Sequence, residues 1–256
     1  MEILKFKLSG KTAFFKKPEV NTYYYFTYGQ IHKMALLGIF GAILGYNGYG
    51  SIKEGKNGKI SFGESIELPE YYRKLEHLKI GIVPCNKKGY ISKKIQTFNN
   101  SVGYASKEQG GNLIIKEQWL ESPIWNIYLL IDNLESEKIV NALQEKTAIY
   151  LPYLGKNDHF ADISDIVIFH GEKIEIENDD VVQIDSLFIK HFAELDIDNE
   201  DIEEQIFKYE EALPVKLEKD SLLYQMERMV YTNIPVVSYQ GELYEIIENK
   251  KKIIFL

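Results

Sequence analysis

Cysteine is nearly absent from this chain: Cys85 stands alone among 256 residues. No internal disulfide can form, and a cysteine-based metal site is excluded. That usage fits a reducing compartment. Long apolar runs are missing too. The longest, Met34 to Tyr46, is broken by glycines and too short to span a bilayer. Met1 to Gly10 has no apolar secretory region. A soluble, cytoplasmic protein with no membrane partner is expected.

Catalytic signatures are equally scarce. No phosphate-binding GxxxxGK[ST] loop, no HExxH and no GxSxG elbow occurs. Gly45, Gly48 and Gly50 do not have dinucleotide-binding spacing. The five histidines (32, 77, 159, 170 and 191) show no ligand pairing at helical spacing, so neither metal nor cofactor is expected. Asp158 and His159 suggest a turn whose side chains bond its own backbone. One chemistry needs so little that it survives. Metal-free RNA cleavage requires a base, an acid and a cation. His32, a tyrosine among Tyr23 to Tyr28, and Lys33 or a hairpin lysine would supply them.

Apolar residues, aromatics and a divided charge are present. Hydrophobic residues make up 45%, enough for a core, and the aromatics include 18 Tyr and 13 Phe. Tyrosine suits surfaces that are half apolar and half hydrogen-bonding, and it also fills strands. The net charge of −8 conceals an asymmetry. Residues 1–120 hold 18 Lys+Arg against 9 Asp+Glu, or +9, and residues 121–256 hold 12 against 29, or −17. A polyanion is repelled by the whole but attracted to the first half. Plain solvation of both surfaces accounts for the charge equally well.

The hydrophobic periodicity implies an order of elements. Ile3 to Leu8 alternates as a half-buried strand. Ser9 to Tyr28 is basic, then aromatic, and Pro18 and Asn21 make it irregular. Gln30 to Tyr46 reads as a buried helix. Gly38, Gly41 and Gly45 cost it about 1 kcal/mol each, which predicts close approach of a backbone, either a strand or a nucleic acid. A short helix over Pro69 to His77 and a strand over Lys79 to Cys85 follow. Tyr90 to Phe98 and Asn112 to Trp119 form a basic hairpin with a tip rich in Asn, Ser and Gly. Next come a strand over Ile124 to Ile131, a helix over Ser136 to Lys146, and strand material at Ile149 to Tyr153 and Phe160 to Phe169. The sum is β-α-β-β-α-β, the order of a ferredoxin-like or RNA-recognition fold. Beyond it, Lys173 to Asp185 alternates as a strand, Asp196 to Glu204 is a surface connection, and Leu217 to Tyr231 suits strand or helix. Val236 to Phe255 looks like a C-terminal hairpin.

Three segments resemble the CRISPR-associated Cas-five family. They are Lys5-Phe6-Lys7-Leu8-Ser9-Gly10-Lys11-Thr12-Ala13-Phe14-Phe15-Lys16-Lys17-Pro18 with Asn21-Thr22, Met34 to Gly45, and Tyr150 to Ile163. The third looks most like the subtype I-B branch. The resemblance spans about the first two-thirds of the chain. It implies an α+β fold of the repeat-associated mysterious protein (RAMP) superfamily: a ferredoxin-like domain over residues 1–170, with a β-hairpin thumb around 87–120. A smaller β-rich region over 171–256 completes the chain. It implies a non-catalytic subunit of a type I surveillance complex (Cascade), acting in antiviral defence. Such a subunit caps the 5′ handle of the guide crRNA, beside Cas-seven-type backbone subunits and a Cas-eight-type large subunit. Target DNA is met through the complex. Handle contacts are expected at Lys11, Phe15, Lys16, Lys17, Asn21 and Thr22, with Gly38 and Gly41 admitting RNA backbone and His32 and Lys33 nearby. Thumb contacts are expected at Lys93, Lys94 and Gln96. In one branch of the family the subunit itself cuts precursor RNA, which keeps the metal-independent nuclease as the alternative.

Overall fold

The computed structural model describes residues 1–19, 23–51, 68–100, 113–176, 180–197 and 205–256. In chain order the elements are β1 (Glu2–Ser9), β2 (Thr12–Ala13), β3 (Tyr24–Tyr25), α1 (Lys33–Leu44), α2 (Glu70–Leu75), β4 (Ile80–Pro84), β5 (Lys93–Asn100), β6 (Leu113–Glu121) and β7 (Ile124–Leu130). Then follow α3 (Leu134–Gln144), β8 (Asp162–Ile174), β9 (Phe188–Ile189), β10 (Ala193–Leu195), β11 (Lys208–Leu217), β12 (Tyr224–Thr232), β13 (Val236–Tyr239), β14 (Leu243–Ile246) and β15 (Lys252–Ile254).

The main sheet has six strands in the order β15-β14-β8-β1-β7-β4. Four of them, β8, β1, β7 and β4, pair antiparallel in turn, with β1 between β7 and β8 and β4 beside β7. α1 lies in the connection from β1 to β4, and α3 in that from β7 to β8. The alternation of β1 explains its place. Leu4, Phe6 and Leu8 are buried together with Leu36, Phe40, Ile139 and Leu143 of the two helices. Each such side chain contributes about 1.5–3 kcal/mol through burial. Ile3 faces the other way, into a second cluster with Tyr128, Leu130, Tyr244, Ile246 and Ile253. The sheet curls around that cluster until its edges meet. Leu256 donates its N–H to the Ile80 carbonyl at 3.0 Å and accepts from the Ile80 N–H at 3.4 Å. Gly81 admits the closure, since a Cβ there would clash with Ile253 Cγ2.

The helices end where their sequences dictate. Asn133 and Ser136 form a reciprocal capping box on α3. His32 caps α1, its Nδ1 accepting from the Ala35 N–H at 3.2 Å. Gly45 closes α1 in the left-handed region, with φ 75°. The Ile43 and Ala42 carbonyls of α1 also accept from the Ile149 and Tyr150 N–H groups, at 3.0 Å each.

Several expectations need correction. Residues 149–153 are no strand, because their first two N–H groups cap α1 and Pro152 has none to give; only Tyr153 bridges Phe160. The alternation after Lys173 belongs to the end of β8 and to one bridge between Val182 and Val236. Residues 177–179 and 198–204, the latter most of the surface connection expected at Asp196 to Glu204, lie outside the described residues, as does the hairpin tip at 101–112. β11 was not anticipated. It holds Pro214, which an edge strand tolerates. The stretch from Leu217 to Tyr231 resolves as strand on either side of a turn. The C-terminal hairpin exists as β14 and β15, and it extends the main sheet through β8. The 170/171 boundary falls inside β8, and Leu187, Leu213 and Met229 share the main core.

Candidate nucleic-acid interface

A cleft of about 940 Å³ opens beside α1. Small residues make its floor: Ala35, Gly38 and Ala42, with Gly41 at the side of Tyr71. A Cβ on Gly38 would meet nothing within 4 Å, whereas one on Gly41 would lie 2.6 Å from Tyr71 Cβ. So Gly41 admits the α2 side chain, and Gly38 alone leaves helix backbone open to the cleft. This corrects the expectation that all three glycines admit another backbone, since Gly45 is a cap.

Tyrosines make the walls. Tyr46, Tyr49 and Tyr71 stand on one side, Tyr150 and Tyr153 come from the loop after α3, and Tyr224 comes from β12. Tyr49 and Tyr71 meet edge to face at 6.2 Å, and burial pushes the Tyr71 hydroxyl pKa far up, so it remains a neutral donor. Tyr49, Tyr150 and Tyr153 keep much of their rings exposed. Lys16 lines the rim, its Nζ 4.1 Å over the Tyr25 ring. No described carboxylate lines the cleft. Neutral rings and a cation suit stacked bases beside a phosphate.

The anticipated residues divide. Lys16, His32, Gly38, Gly41 and Phe15 do converge on the cleft. Phe15, however, is 3% exposed and packs on Trp125 at 6.1 Å, so it is core and not a stacking surface. His32 is buried among Phe15, Tyr28 and Tyr224, and burial pulls its pKa down to about 3. Lys33 is buried as well, donating to the Leu256 carbonyl at 3.0 Å, with its pKa lowered by burial to about 8. Neither is free for RNA. Lys17 is held by Glu211 at 2.7 Å. Lys11 is exposed in a bend away from the cleft lining. Asn21 and Thr22 lie outside the described residues. The wall tyrosines were missed as a group. Tyr150 and Tyr153 sat within the third resembling segment, while nothing in the sequence linked Tyr224 to α1.

The hairpin is real: β5 pairs antiparallel with β6 from Lys93↔Leu120 to Asn100↔Leu113. Register sorts its residues onto two faces. On the inner face, Lys94, Gln96 and Phe98 oppose Trp119, Glu117 and Ile115. The loop after α3 covers it. Lys156 pairs with Glu117 at 3.3 Å and lies over the Phe98 ring at 5.1 Å. His159 packs edge-on against Trp119 at 4.6 Å and bonds Thr12 Oγ1 through Nδ1 at 2.6 Å. The 156–159 turn is present, with the His159 N–H donating to the Lys156 carbonyl at 3.0 Å, but the ring is buried rather than bonded to its own backbone. Lys94 is matched by Glu121 at 3.7 Å. On the outer face stand Lys93, Ile95 and Thr97; Thr97 and Ile95 lie opposite Lys116 and Gln118, while Lys93 lies opposite Leu120, which is buried in the main core. β3 joins parallel to β6, setting Tyr24 beside Lys116. The expected thumb trio is therefore split: Lys93 points outward, Lys94 and Gln96 inward.

No protein-family model matches the sequence, and no curated protein matches it. The solved structures similar to this chain include proteins of CRISPR systems. One is a chain of a CRISPR RNA-guided surveillance complex, at 13% identity and TM-score 0.48, covering 92% of this chain and 91% of that one. Another is a CRISPR protein from Archaeoglobus fulgidus, at 12% identity and TM-score 0.49, covering 99% of both. A third is a chain of a type III-B Cmr-beta complex bound to cognate target RNA, at 9% identity and TM-score 0.39, covering 98% of both. At these scores the function has to be read from the chain's own side chains. Among the described residues no helix is long and apolar enough to cross a membrane.

Proposed function

We propose that this chain is an RNA-binding subunit of a CRISPR ribonucleoprotein, a Cas-five-type RAMP protein of a type I, subtype I-B-like complex that holds the 5′ handle of the crRNA. One observation carries the reading: Gly38 opens helix backbone onto a cleft walled by six tyrosines and rimmed by Lys16. The fold supports it. The strand order β8-β1-β7-β4, with α1 and α3 in the two crossovers, is what a ferredoxin-like domain requires. In this reading residues 1–170 carry the RNA and the thumb, and residues 171–256 buttress them. Cas-seven-type and Cas-eight-type subunits are the partners, and target DNA is met through the complex.

The nuclease alternative gains no support from the histidine it needs. His32 Nδ1 already accepts the Ala35 N–H, and burial leaves it a poor base. The test is a gel shift of repeat RNA in EDTA over a salt series. Parent protein is expected to retain intact RNA with salt-sensitive affinity. Gly38→Trp, which fills the floor, is expected to weaken binding at least about ten-fold, in line with stacking worth about 1–3 kcal/mol per base. A discrete cleavage product, or unaltered binding by Gly38→Trp, contradicts the reading.

A further inference from the structure

We infer that Glu70, which does not itself line the cleft, is a positioning residue for RNA binding there: acting through Asn47, it fixes the Tyr49 wall before RNA arrives. This role rests on the cleft reading above. Asn47 lies one residue after Tyr46 and two before Tyr49, in the segment that leaves α1. The start of α2 clamps that segment. Glu70 Oε2 accepts from the Asn47 backbone N–H at 3.0 Å and from Asn47 Nδ2 at 2.8 Å. The Asn47 carbonyl in turn accepts from the Tyr71 N–H at 3.2 Å. One residue is thus bound through its N–H, its carbonyl and its side chain. The other Glu70 oxygen pairs with Lys74 at 3.2 Å, and Lys74 Nζ lies 4.1 Å over the Tyr46 ring. A single carboxylate therefore ties both wall tyrosines of this segment to α2.

The wall needs such a clamp. Tyr49 is 45% exposed and sits between Gly48 and Gly50, where a Cβ on either would meet nothing within 4 Å. Two glycines give the chain wide conformational freedom and no side chain to pack. A ring fixed in advance spares the ordering cost when a base stacks on it. The charge of Glu70 opposes this role. A carboxylate near a polyanion site repels RNA, so electrostatics alone predicts tighter binding once it is removed. Positioning predicts the opposite sign, and the two are separable. The Asn47 N–H, then the Asn47 amide and Lys74, hold the Glu70 carboxyl below its ordinary range, so the acceptor is ionised at neutral pH.

The experiment measures anisotropy of fluorescein-labelled repeat RNA over a salt series with the parent, Glu70→Ala, Glu70→Gln and Asn47→Ala, and maps ultraviolet cross-links at Tyr49 and Tyr150. Thermal melting verifies that each variant folds. Glu70→Ala is expected to weaken binding about three- to ten-fold, the scale of one side chain newly immobilised on binding. Its salt slope should be unchanged, because no cation is lost. Glu70→Gln keeps a carbonyl oxygen for both Asn47 donors and is expected to bind at least as well as the parent. Asn47→Ala tests the same clamp from the other side; it removes one of the two donors and should fall between the parent and Glu70→Ala. Cross-links at Tyr49 should drop in Glu70→Ala while those at Tyr150 persist, whereas a merely structural role would move both or neither. Parent-level or tighter binding by folded Glu70→Ala, while Gly38→Trp weakens it, overturns the positioning role and leaves the cleft reading standing. Equal losses in Glu70→Ala and Glu70→Gln overturn it too, since charge rather than the acceptor would then matter. No binding by the parent overturns both.

Discussion

The two faces of one hairpin divide the work of this molecule. On the inner face every lysine has a carboxylate or a ring: Lys94 has Glu121 and the Trp119 ring, and Lys156 has Glu117 and the Phe98 ring. On the outer face Lys93 and Lys116 stand with Tyr24 and Phe26, and the carboxylates of their strands, Glu117 and Glu121, alternate to the other face. The same β-strands thus hold a face that fixes the hairpin to the body and a face left to solvent. A lysine count cannot distinguish them; register can.

The comparison breaks most visibly on the inner face. Glu117 is 5% exposed and accepts from Trp119 Nε1 at 2.8 Å as well as from Lys156. Glu117→Ala is expected to cost about 2 kcal/mol by urea unfolding, since it leaves Trp119 Nε1 without its acceptor and Lys156 with Asp158 alone. Lys116→Ala, one residue away and outward, should stay within about 0.5 kcal/mol. Equal effects would erase the distinction between the faces. Acid acts next. His159 on the inner face and His32 under α1 both have pKa values lowered by burial, to about 3 for His32. Each is neutral when folded and takes up a proton on unfolding. Stability is therefore intact above the ordinary imidazole value of about 6.5 and falls below it, at up to about 1.4 kcal/mol per pH unit for each histidine. Unfolding measured between pH 7 and 5 should show that slope, and His159→Gln should reduce it. A flat profile would mean that neither ring is buried.

The helix offers a parallel contrast. Gly41→Leu is expected to destabilise by about 1–3 kcal/mol because Tyr71 occupies the space. Gly38→Ala should stabilise by up to about 1 kcal/mol, since it gains helix propensity and meets nothing. Thermal melts of the pair check the assignment of the open position. The smallest effect sharpens the hairpin comparison. Lys93→Ala should lower the slope of log affinity against log salt by about 1, and Lys94→Ala should leave it unchanged.

Much of the fold was legible because its inner strands alternate or are wholly apolar and its helices carry caps. β1, β4, β7 and α3 lie within a few residues of where their patterns place them. Errors arose where tertiary contacts overrode local pattern. Residues 149–153 look like a strand, yet their first N–H groups are claimed by α1. β11, with charged residues and Pro214, lacks an alternating signature and gains its place from β12. The candidate site was half legible. The glycines of α1 and Lys16 could be found locally. That Phe15, His32 and Lys33 are buried depends on elements far along the chain, such as Trp125, Tyr224 and Leu256, and no local pattern reports it. The split of Lys93 from Lys94 needs only strand alternation, and was readable once pairing was known.

Ultraviolet cross-linking of single-stranded RNA to the intact protein, with the linked residues mapped by mass spectrometry, tests the RNA-binding role most directly. Links are expected at the exposed cleft tyrosines, Tyr49, Tyr150 and Tyr153, lost at high salt. Links confined to other surfaces, or none at low salt, would contradict that role.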